Sequence, residues 1–255
     1  MRSSPPPGSS GESSTSSTGP PPCQAFSCLQ KGHPTEYNRE TDYGNGVKQK
    51  NADLFLEYIR LVRGLRPKVF IAENVAGLAG PKAAGVLKSI LDGLRSSGYK
   101  VEARKIRAQD LGVPMVRTRI FFVGVREDLA FDPETCYPKK SSATVSIRDA
   151  LPEIASVVCP SNFGVRVDID VDKPCPSIST SGGPRATSDY FVTRRKTAAR
   201  TKFTTAELKR LFSFPEDFEI LGTLTEQRKM LGNCVAPLVM FAIASRVRDA
   251  LKGTS

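Results

Sequence analysis

The sequence predicts an α/β protein with one larger domain and a second, smaller one. Between residues 51 and 126, apolar residues at helical spacing alternate with short apolar runs that are typical of buried strands. After residue 127 the chain becomes rich in Pro, Ser and Thr and helical patterns become rare, which predicts a change of domain. A strongly apolar helical pattern returns near residue 235.

The chain begins with a predicted disordered tail. Residues 1–19 are almost entirely Ser, Pro, Gly and Thr, and such a stretch buries too little apolar surface to fold. The first helix is predicted over residues 51–65, where apolar side chains share one face. Gly64 and Pro67 are expected to end it.

A sheet follows this helix in the prediction. Residues 69–72 form a short apolar strand, and a second amphipathic helix covers residues 86–94, with Gly98 as its C-terminal cap. Further strands are predicted at residues 99–103 and 119–125. Because helices and strands alternate, we expect the sheet to be mostly parallel.

The predicted boundaries divide the chain at three places after the tail. Residues 20–126 form the larger domain, and residues 127–229 form a small, irregular domain with short β-like pieces. Within it, Thr204 and Glu207 form a capping box that begins a short helix. Residues 230–255 carry a C-terminal helix that returns to the larger domain.

Composition favours a nucleic-acid partner. Lys and Arg number 37 against 26 Asp and Glu, which gives a net charge of +11. A merely soluble basic protein is the alternative. Six cysteines without even spacing do not resemble a disulfide framework, and with His33 as the single histidine they do not resemble a zinc site. No apolar run predicts a membrane span or a secretory signal.

One candidate for covalent chemistry is Cys23. Pro21 and Pro22 stiffen the loop before it and so fix where the sulfur points. A thiol held in this way is a strong nucleophile. The alternative is an ordinary buried cysteine in a turn, which would be the better interpretation if the loop stood alone.

Two further candidates lie at strand ends. Glu73 is at the carboxyl end of the strand at 69–72, where α/β proteins place ligands, although a strand-end Glu that faces water is common. Arg117 and Arg119 alternate and therefore share one face of an extended segment, which suits recognition of phosphates or base edges. The alternative for these arginines is a solvated start of a strand.

Together these features resemble the cytosine-C5 DNA methyltransferases. The resemblance rests on five motifs in the family's order, which are the Pro-Cys loop at 21–23, the Glu-Asn-Val strand end at 73–75, the Arg-x-Arg segment at 117–119, the capped helix and Phe-Pro at 203–218, and the Gly-Asn-x-Val turn at 232–235. The match runs from residue 20 to about residue 251. It implies a truncated Rossmann-like methyltransferase domain and a target-recognition domain.

The resemblance implies a role for each matching residue. Cys23 would add to C6 of a flipped cytosine, while Glu73 binds the N3 and N4 edge and Arg119 holds the base. The donor, S-adenosyl-L-methionine, would contact the turn formed by Gly232, Asn233, Cys234 and Val235. Contacts to double-stranded DNA would come from Gln24, Ser27, Arg117, Arg194, Arg195 and Lys196.

The sequence departs from the family pattern at three places. Met115 replaces the usual Gln, and Ala206 replaces the usual Arg. The printed residues also contain no Gly-rich turn after a strand, and no strand is predicted before the Cys23 loop. We therefore expect a separate chain to supply the donor-binding half. An inactive DNA-binding remnant and an RNA-directed relative stay open as alternatives. The expected location is cytoplasmic, close to the nucleoid in a bacterium, or nuclear in a eukaryote.

Overall fold

A computed structural model describes residues 16–18, 40–42, 48–50, 53–141, 144–160, 166–178 and 190–253. Its strands are β1 (Ser16–Thr18), β2 (Glu40–Asp42), β3 (Lys48–Lys50), β4 (Val69–Val75), β5 (Tyr99–Arg107), β6 (Thr118–Arg126), β7 (Ile154–Pro160), β8 (Arg166–Ile169), β9 (Phe191–Arg194) and β10 (Thr197–Lys202). Its α-helices are α1 (Asp53–Leu65), α2 (Ala84–Arg95), α3 (Ile147–Ala150), α4 (Thr205–Leu211), α5 (Leu224–Asn233) and α6 (Pro237–Lys252).

The first sheet has the strand order β1-β4-β6-β5. Only β1 and β4 pair in parallel, and β6 is antiparallel to both of its neighbours. The expectation of a mostly parallel sheet is therefore wrong for the described strands. The reason is that the connection at residues 108–117 reverses the chain after β5, so that β6 inserts between β4 and β5.

The edge of this sheet corrects two predictions about the N-terminal region. Ser16–Thr18 pairs with β4 in the register Ser16 to Val69 and Thr18 to Ile71. These three residues lie within the predicted disordered tail, so that prediction is wrong for them. They also provide a strand before the Cys23 loop, where none was expected. Polar Ser and Thr gave no apolar pattern, and pairing with β4 determines the strand.

Helices α1 and α2 pack on one face of the first sheet, as their apolar patterns predict. Phe70 of β4 lies so close to Gly124 of β6 that a Cβ atom there would be 2.0 Å from the ring. Helix α1 includes Gly64 and ends at Leu65, where Arg66 takes a positive φ of 46°. The C-cap of α2 is Ser96, and Gly98 supplies a left-handed turn two residues later.

The opposite face of the first sheet packs against α6 and against the second domain, in one continuous cluster of buried apolar residues. That domain contains an antiparallel sheet of order β10-β9-β7-β8, so the expectation of irregular structure is wrong for its strands. Strand β8 overlaps a β-like piece predicted at residues 164–168, whereas β10 is polar and exposed and gives no strand pattern.

Two capped helices precede α6. The capping box of Thr204 and Glu207 begins α4, as predicted. Helix α5 was not predicted, because it buries only Leu231 and Gly232 and so lacks an apolar face. In the described part of the chain no single helix is long and apolar enough to cross a membrane. The bent pair α5 and α6 reaches that length and apolar composition only when the two helices are taken together.

Candidate active site

Glu73 and Arg119 form a shielded ion pair at one end of the first sheet. Their strands are paired, with Val75 opposite Arg119. Arg119 Nε lies 3.0 Å from Glu73 Oε1, and the two side chains are 21% and 10% exposed. Arg119 also donates from Nη1 to the carbonyl of Thr118 at 2.9 Å. The sheet therefore brings together the two residues that the sequence predicts to hold a base.

Burial changes the chemistry of this carboxyl group. Desolvation raises the pKa of Glu73 above its ordinary value, and the neighbouring Arg119 and Arg117 oppose that rise. Glu73 therefore keeps its proton to a higher pH than an exposed carboxyl group does. In its protonated form it can donate a hydrogen bond, and in its ionised form it only accepts them.

Arg117 lies against the chain after α5. It is 3% exposed, and its Nη2 donates to the carbonyls of Gly232 at 3.0 Å and Cys234 at 2.7 Å. Its guanidinium carbon lies 5.5 Å from the ring centroid of Phe212. Burial, assisted by the charge of Arg119, lowers the pKa of Arg117 to about 10. The guanidinium is therefore directed into the protein interior in this structure, and the DNA contact of Arg117 stays a prediction.

The turn at residues 232–235, which is predicted to contact the donor, lies beside the Glu73–Arg119 pair. Gly232 and Asn233 form the end of α5, and Cys234 is its C-cap. Burial raises the pKa of the Cys234 thiol to about 11, against the charges of Arg117 and Arg119, while Glu73 adds to the rise. Arg117, which donates to the carbonyls of Gly232 and Cys234, lies two residues before Arg119 in the chain, so the structure brings the turn close to the Glu73–Arg119 pair.

Comparison with known proteins identifies the family. The model of the C-5 cytosine-specific DNA methylases matches residues 17–163 and 161–249, which is most of the chain. The chain belongs to this family. Its members are cytosine-C5 DNA methyltransferases, enzymes that use S-adenosylmethionine as methyl donor and DNA as substrate.

Several bacterial members are similar in sequence. The type II methyltransferase M.NgoFVII of Neisseria gonorrhoeae is 27% identical over 269 residues, which cover 89% of this chain and 67% of the relative. M1.HphI of Haemophilus parahaemolyticus is 29% identical and covers 90% of this chain and 67% of its own length. Their names associate the family branch with type II restriction–modification.

Solved structures show the same fold. A DNA modification methyltransferase encoded within an Escherichia coli prophage matches with a TM-score of 0.62 at 21% identity, covering 93% of this chain and 79% of the other. The Dnmt2 methyltransferase of S. pombe matches with a TM-score of 0.60 at 16% identity, covering 94% and 78%. The methyltransferase fold is therefore established for this chain.

The turn at residues 232–235 fits one side of a donor site. The carbonyls of Gly232 and Cys234 accept from Arg117, and the Cys234 amide donates to Leu231. The polar side chain that the turn presents to solvent is that of Asn233, next to the half-buried Val235. These groups can contribute a polar and an apolar contact, and the remaining donor contacts must come from elsewhere.

Three predicted site residues, Cys23, Gln24 and Ser27, lie outside the described residues.

The predicted basic run in the second domain lies at the β9–β10 turn, and its cations have two different environments. Arg194 donates from Nε and Nη2 to the buried carboxylate of Glu207, each at 2.8 Å, so it holds the domain together. Arg195 and Lys196 are exposed and can meet a phosphate backbone.

Sequence reasoning missed two features near the site, the contact of Phe212 with Arg117 and the burial of Asn74. Phe212 packs under Arg117, and its place before the Phe-Pro motif gave no sign of that contact. Asn74 is 1% exposed, and its Nδ2 has no hydrogen-bond partner in the described part of the chain. Met115, which replaces the family's Gln, is fully buried among apolar residues.

Proposed function

We propose that this chain transfers a methyl group from S-adenosylmethionine to C5 of cytosine in double-stranded DNA through a covalent cysteine adduct. The observation that carries the proposal is the shielded Glu73–Arg119 pair, next to Arg117, which binds the turn at residues 232–235. A carboxyl group with a raised pKa, held by an arginine, is complementary to the N3 and N4 edge of cytosine. The target base would have to leave the duplex to reach it.

Each residue then has one task. Cys23 adds as thiolate to C6 of the cytosine, which turns the weakly nucleophilic C5 into an enamine carbon. Glu73 supplies a proton or hydrogen bond at N3 and accepts one from the N4 amino group. Arg119 engages Oε1 of Glu73 and thereby fixes the carboxyl plane. When bound, S-adenosylmethionine supplies the electrophilic methyl group, and loss of the C5 proton then lets the cysteine leave.

Chain connectivity supports the assignment of Cys23. Thr18 pairs beside Ile71, two residues before Glu73. Cys23 follows Thr18 by five residues, which can span at most about 17 Å. Chain length therefore permits Cys23 to reach the end of β4 that carries Glu73.

We place the rest of the donor site on a partner chain. The turn at residues 232–235 offers few contacts by itself, and tight binding requires several preplaced polar groups. A donor-binding partner would supply those further polar groups. We place DNA reading on residues 127–229, whose exposed Arg195 and Lys196 would neutralise phosphates. The chain would act wherever its DNA is, in a bacterial cytoplasm or a eukaryotic nucleus.

The test is covalent trapping on DNA that contains 5-fluorocytosine. Fluorine at C5 cannot leave as a proton does, so the adduct persists. The chain is mixed with this DNA, S-adenosylmethionine and the N-terminal half of M.NgoFVII, and a denaturation-resistant complex is expected. Cys23→Ser should abolish it, and the matched variant Cys28→Ser should retain it.

Three outcomes would overturn parts of the proposal. Trapping that survives Cys23→Ser but disappears with Cys28→Ser would move the nucleophile. Trapping on fluorinated tRNA but not on DNA would identify an RNA-directed enzyme. DNA binding without trapping, whichever N-terminal half is supplied, would identify an inactive DNA-binding remnant.

A further inference from the structure

Residues 114–119, which we call the strap, contact three parts of the molecule. The Val116 amide donates to the Cys175 carbonyl at 2.7 Å, and the Cys175 amide donates to the Pro114 carbonyl at 3.0 Å. These two bonds join the strap to the second domain. At its other end, Arg119 pairs with Glu73 of the first sheet. Arg117 lies between these two attachments.

Arg117 attaches the strap to a third part, the end of α5. One nitrogen, Nη2, binds both the Gly232 and the Cys234 carbonyls. Carbonyls at a helix C-terminus lack partners within the helix and carry partial negative charge, so a cation there is favourable. The Phe212 ring adds a cation–π contact at 5.5 Å. The backbone of Arg117 is held as well, because its carbonyl accepts from the Ala108 amide at 2.8 Å.

This arrangement tolerates little movement. A buried guanidinium loses the solvation of water and must regain it from the groups around it. Among the described residues Arg117 forms no ion pair with a carboxylate, and its Nε has no hydrogen-bond partner. The groups in contact with its guanidinium are the two carbonyls of the turn and the Phe212 ring, while the charge of Glu73 acts on it from farther away. If the turn moved away, the buried guanidinium would lose both of these hydrogen bonds.

We propose that Arg117 is a positioning residue that locks the turn at residues 232–235 to the strand that carries Arg119. The lock gives the turn and the Glu73–Arg119 pair one fixed separation. The interpretation of the turn as the donor side rests on the proposed function, but the lock does not. Methyl transfer would depend on this separation, because reacting atoms must be held within a narrow distance of each other.

The test is hydrogen exchange and thiol alkylation on the full chain, without donor or DNA. Arg117→Met removes the charge and both carbonyl bonds. Arg117→Lys keeps the charge, but a single ammonium cannot reproduce the flat two-carbonyl and ring geometry. The matched control is Arg248→Met, which removes an exposed arginine from α6. Peptide-resolved mass spectrometry follows the amides of residues 232–236 and the alkylation of Cys234 by iodoacetamide at pH 9.

The expected result for Arg117→Met is exchange at residues 232–236 that is at least tenfold faster, with unchanged exchange in β5 and β7. Alkylation of Cys234 should also accelerate, because burial is what raises the pKa of its thiol. For Arg117→Lys, the increases in exchange and in alkylation should both be smaller than for Arg117→Met. Arg248→Met should show neither increase.

Two results would overturn the proposal. If Arg117 acted only as a nearby charge, alkylation of Cys234 would slow and exchange would not change, since Arg117 lowers the pKa of that thiol. If Arg117 were only a general stabilising residue, exchange would rise throughout both sheets. Trapping on DNA tests the proposed function separately, so a chain without activity could still show the lock.

Discussion

At the scale of single residues, the half-buried Arg119 and the buried Arg117 lie near one carboxylate. Arg119 is directly paired with Glu73, whereas Arg117 acts on it only through charge. With Glu73 ionised, the three groups together therefore carry an excess positive charge. Binding a base that presents electron-rich edges would offset that excess.

The raised pKa of Glu73 predicts a pH-dependent stability. Between the ordinary value of 4.5 and the raised value, the native state holds a proton that the unfolded state has lost. Raising the pH through this window therefore lowers native stability. Glu73→Gln has no such proton, so its stability relative to the wild type should rise with pH, by about 1.4 kcal/mol for each unit of pKa displacement. Urea unfolding at intervals from pH 4 to pH 8 measures this difference.

Glu226 offers a control of opposite sign. Its hydrogen bonds with Thr223 lower the pKa of this exposed carboxyl group. Its contribution to stability is present above the ordinary pKa and is lost as the pH falls. Glu226→Gln should therefore lose stability relative to the wild type as the pH rises through that lower window. If the free energies of unfolding of Glu73→Gln and of the wild type changed in parallel with pH, the prediction for Glu73 would be contradicted.

The sequence predicted Glu73 and Arg119 because both lie at strand ends, where side-chain direction follows from alternation. The environment of Arg117 could not be predicted in this way. Its two carbonyl partners lie 115 and 117 residues away along the chain. Alternation places Arg117 on the face of Arg119, but only the return of α5 to the sheet makes that position buried.

At the scale of elements, the β9–β10 hairpin combines a structural arginine with exposed cations. Arg194 at the end of β9 reaches Glu207, which is both a buried residue and the partner of Thr204 in the capping box of α4. The hairpin is thereby attached to α4. Arg195 and Lys196 at the turn are exposed, and Arg195 Nε donates to the Pro152 carbonyl at 2.9 Å.

We predict different consequences for replacing these neighbouring cations. Arg195→Ala and Lys196→Ala should weaken binding to all DNA sequences alike, and each should reduce the slope of log Kobs against log salt by about 0.9. Arg194→Ala should instead lower the unfolding temperature, because it leaves the Glu207 carboxylate buried without its partner. Salt titrations by fluorescence anisotropy and thermal unfolding measure the two effects. An unchanged salt slope in the double variant Arg195→Ala, Lys196→Ala would show that the phosphate contacts lie elsewhere.

The elements that were predicted correctly have strong apolar periodicity. Helices α1 and α2 and strand β6 bury a clear apolar face, and the sequence located each within a few residues. Helix α5 and strand β10 are polar, so their positions depend on neighbours that a local pattern does not contain. The same explanation holds for β1, whose strand conformation comes from pairing with β4.

At the scale of the whole molecule, the two domains share one apolar interior. Buried residues of the first sheet, the second sheet and α6 belong to a single cluster. The second domain is therefore attached to the larger one by packing as well as by the strap. A reading domain fixed in this way would present the target base at a constant distance from Glu73.

We predict that residues 127–229 determine the DNA sequence that is methylated. Replacing them with the corresponding segment of M1.HphI, in an assembly with a donor-binding half, should transfer the site preference of that relative. Exchange of residues 53–95, which form α1, β4 and α2, is the control and should leave the preference unchanged. Methylation is read by bisulfite sequencing of a random-site library. A preference that followed residues 53–95 would refute the assignment.

The position of β6 also governs how the molecule is assembled during synthesis. Strands β4 and β5 are separate neighbours of β6 and do not pair with each other. A nascent chain that has released β4, α2 and β5 leaves the facing edges of the two strands unpaired, because the strand that joins them is made after both. The ribosome therefore delivers the centre of the sheet after its flanks, and these edges stay open to pairing with other chains until Arg126 has emerged.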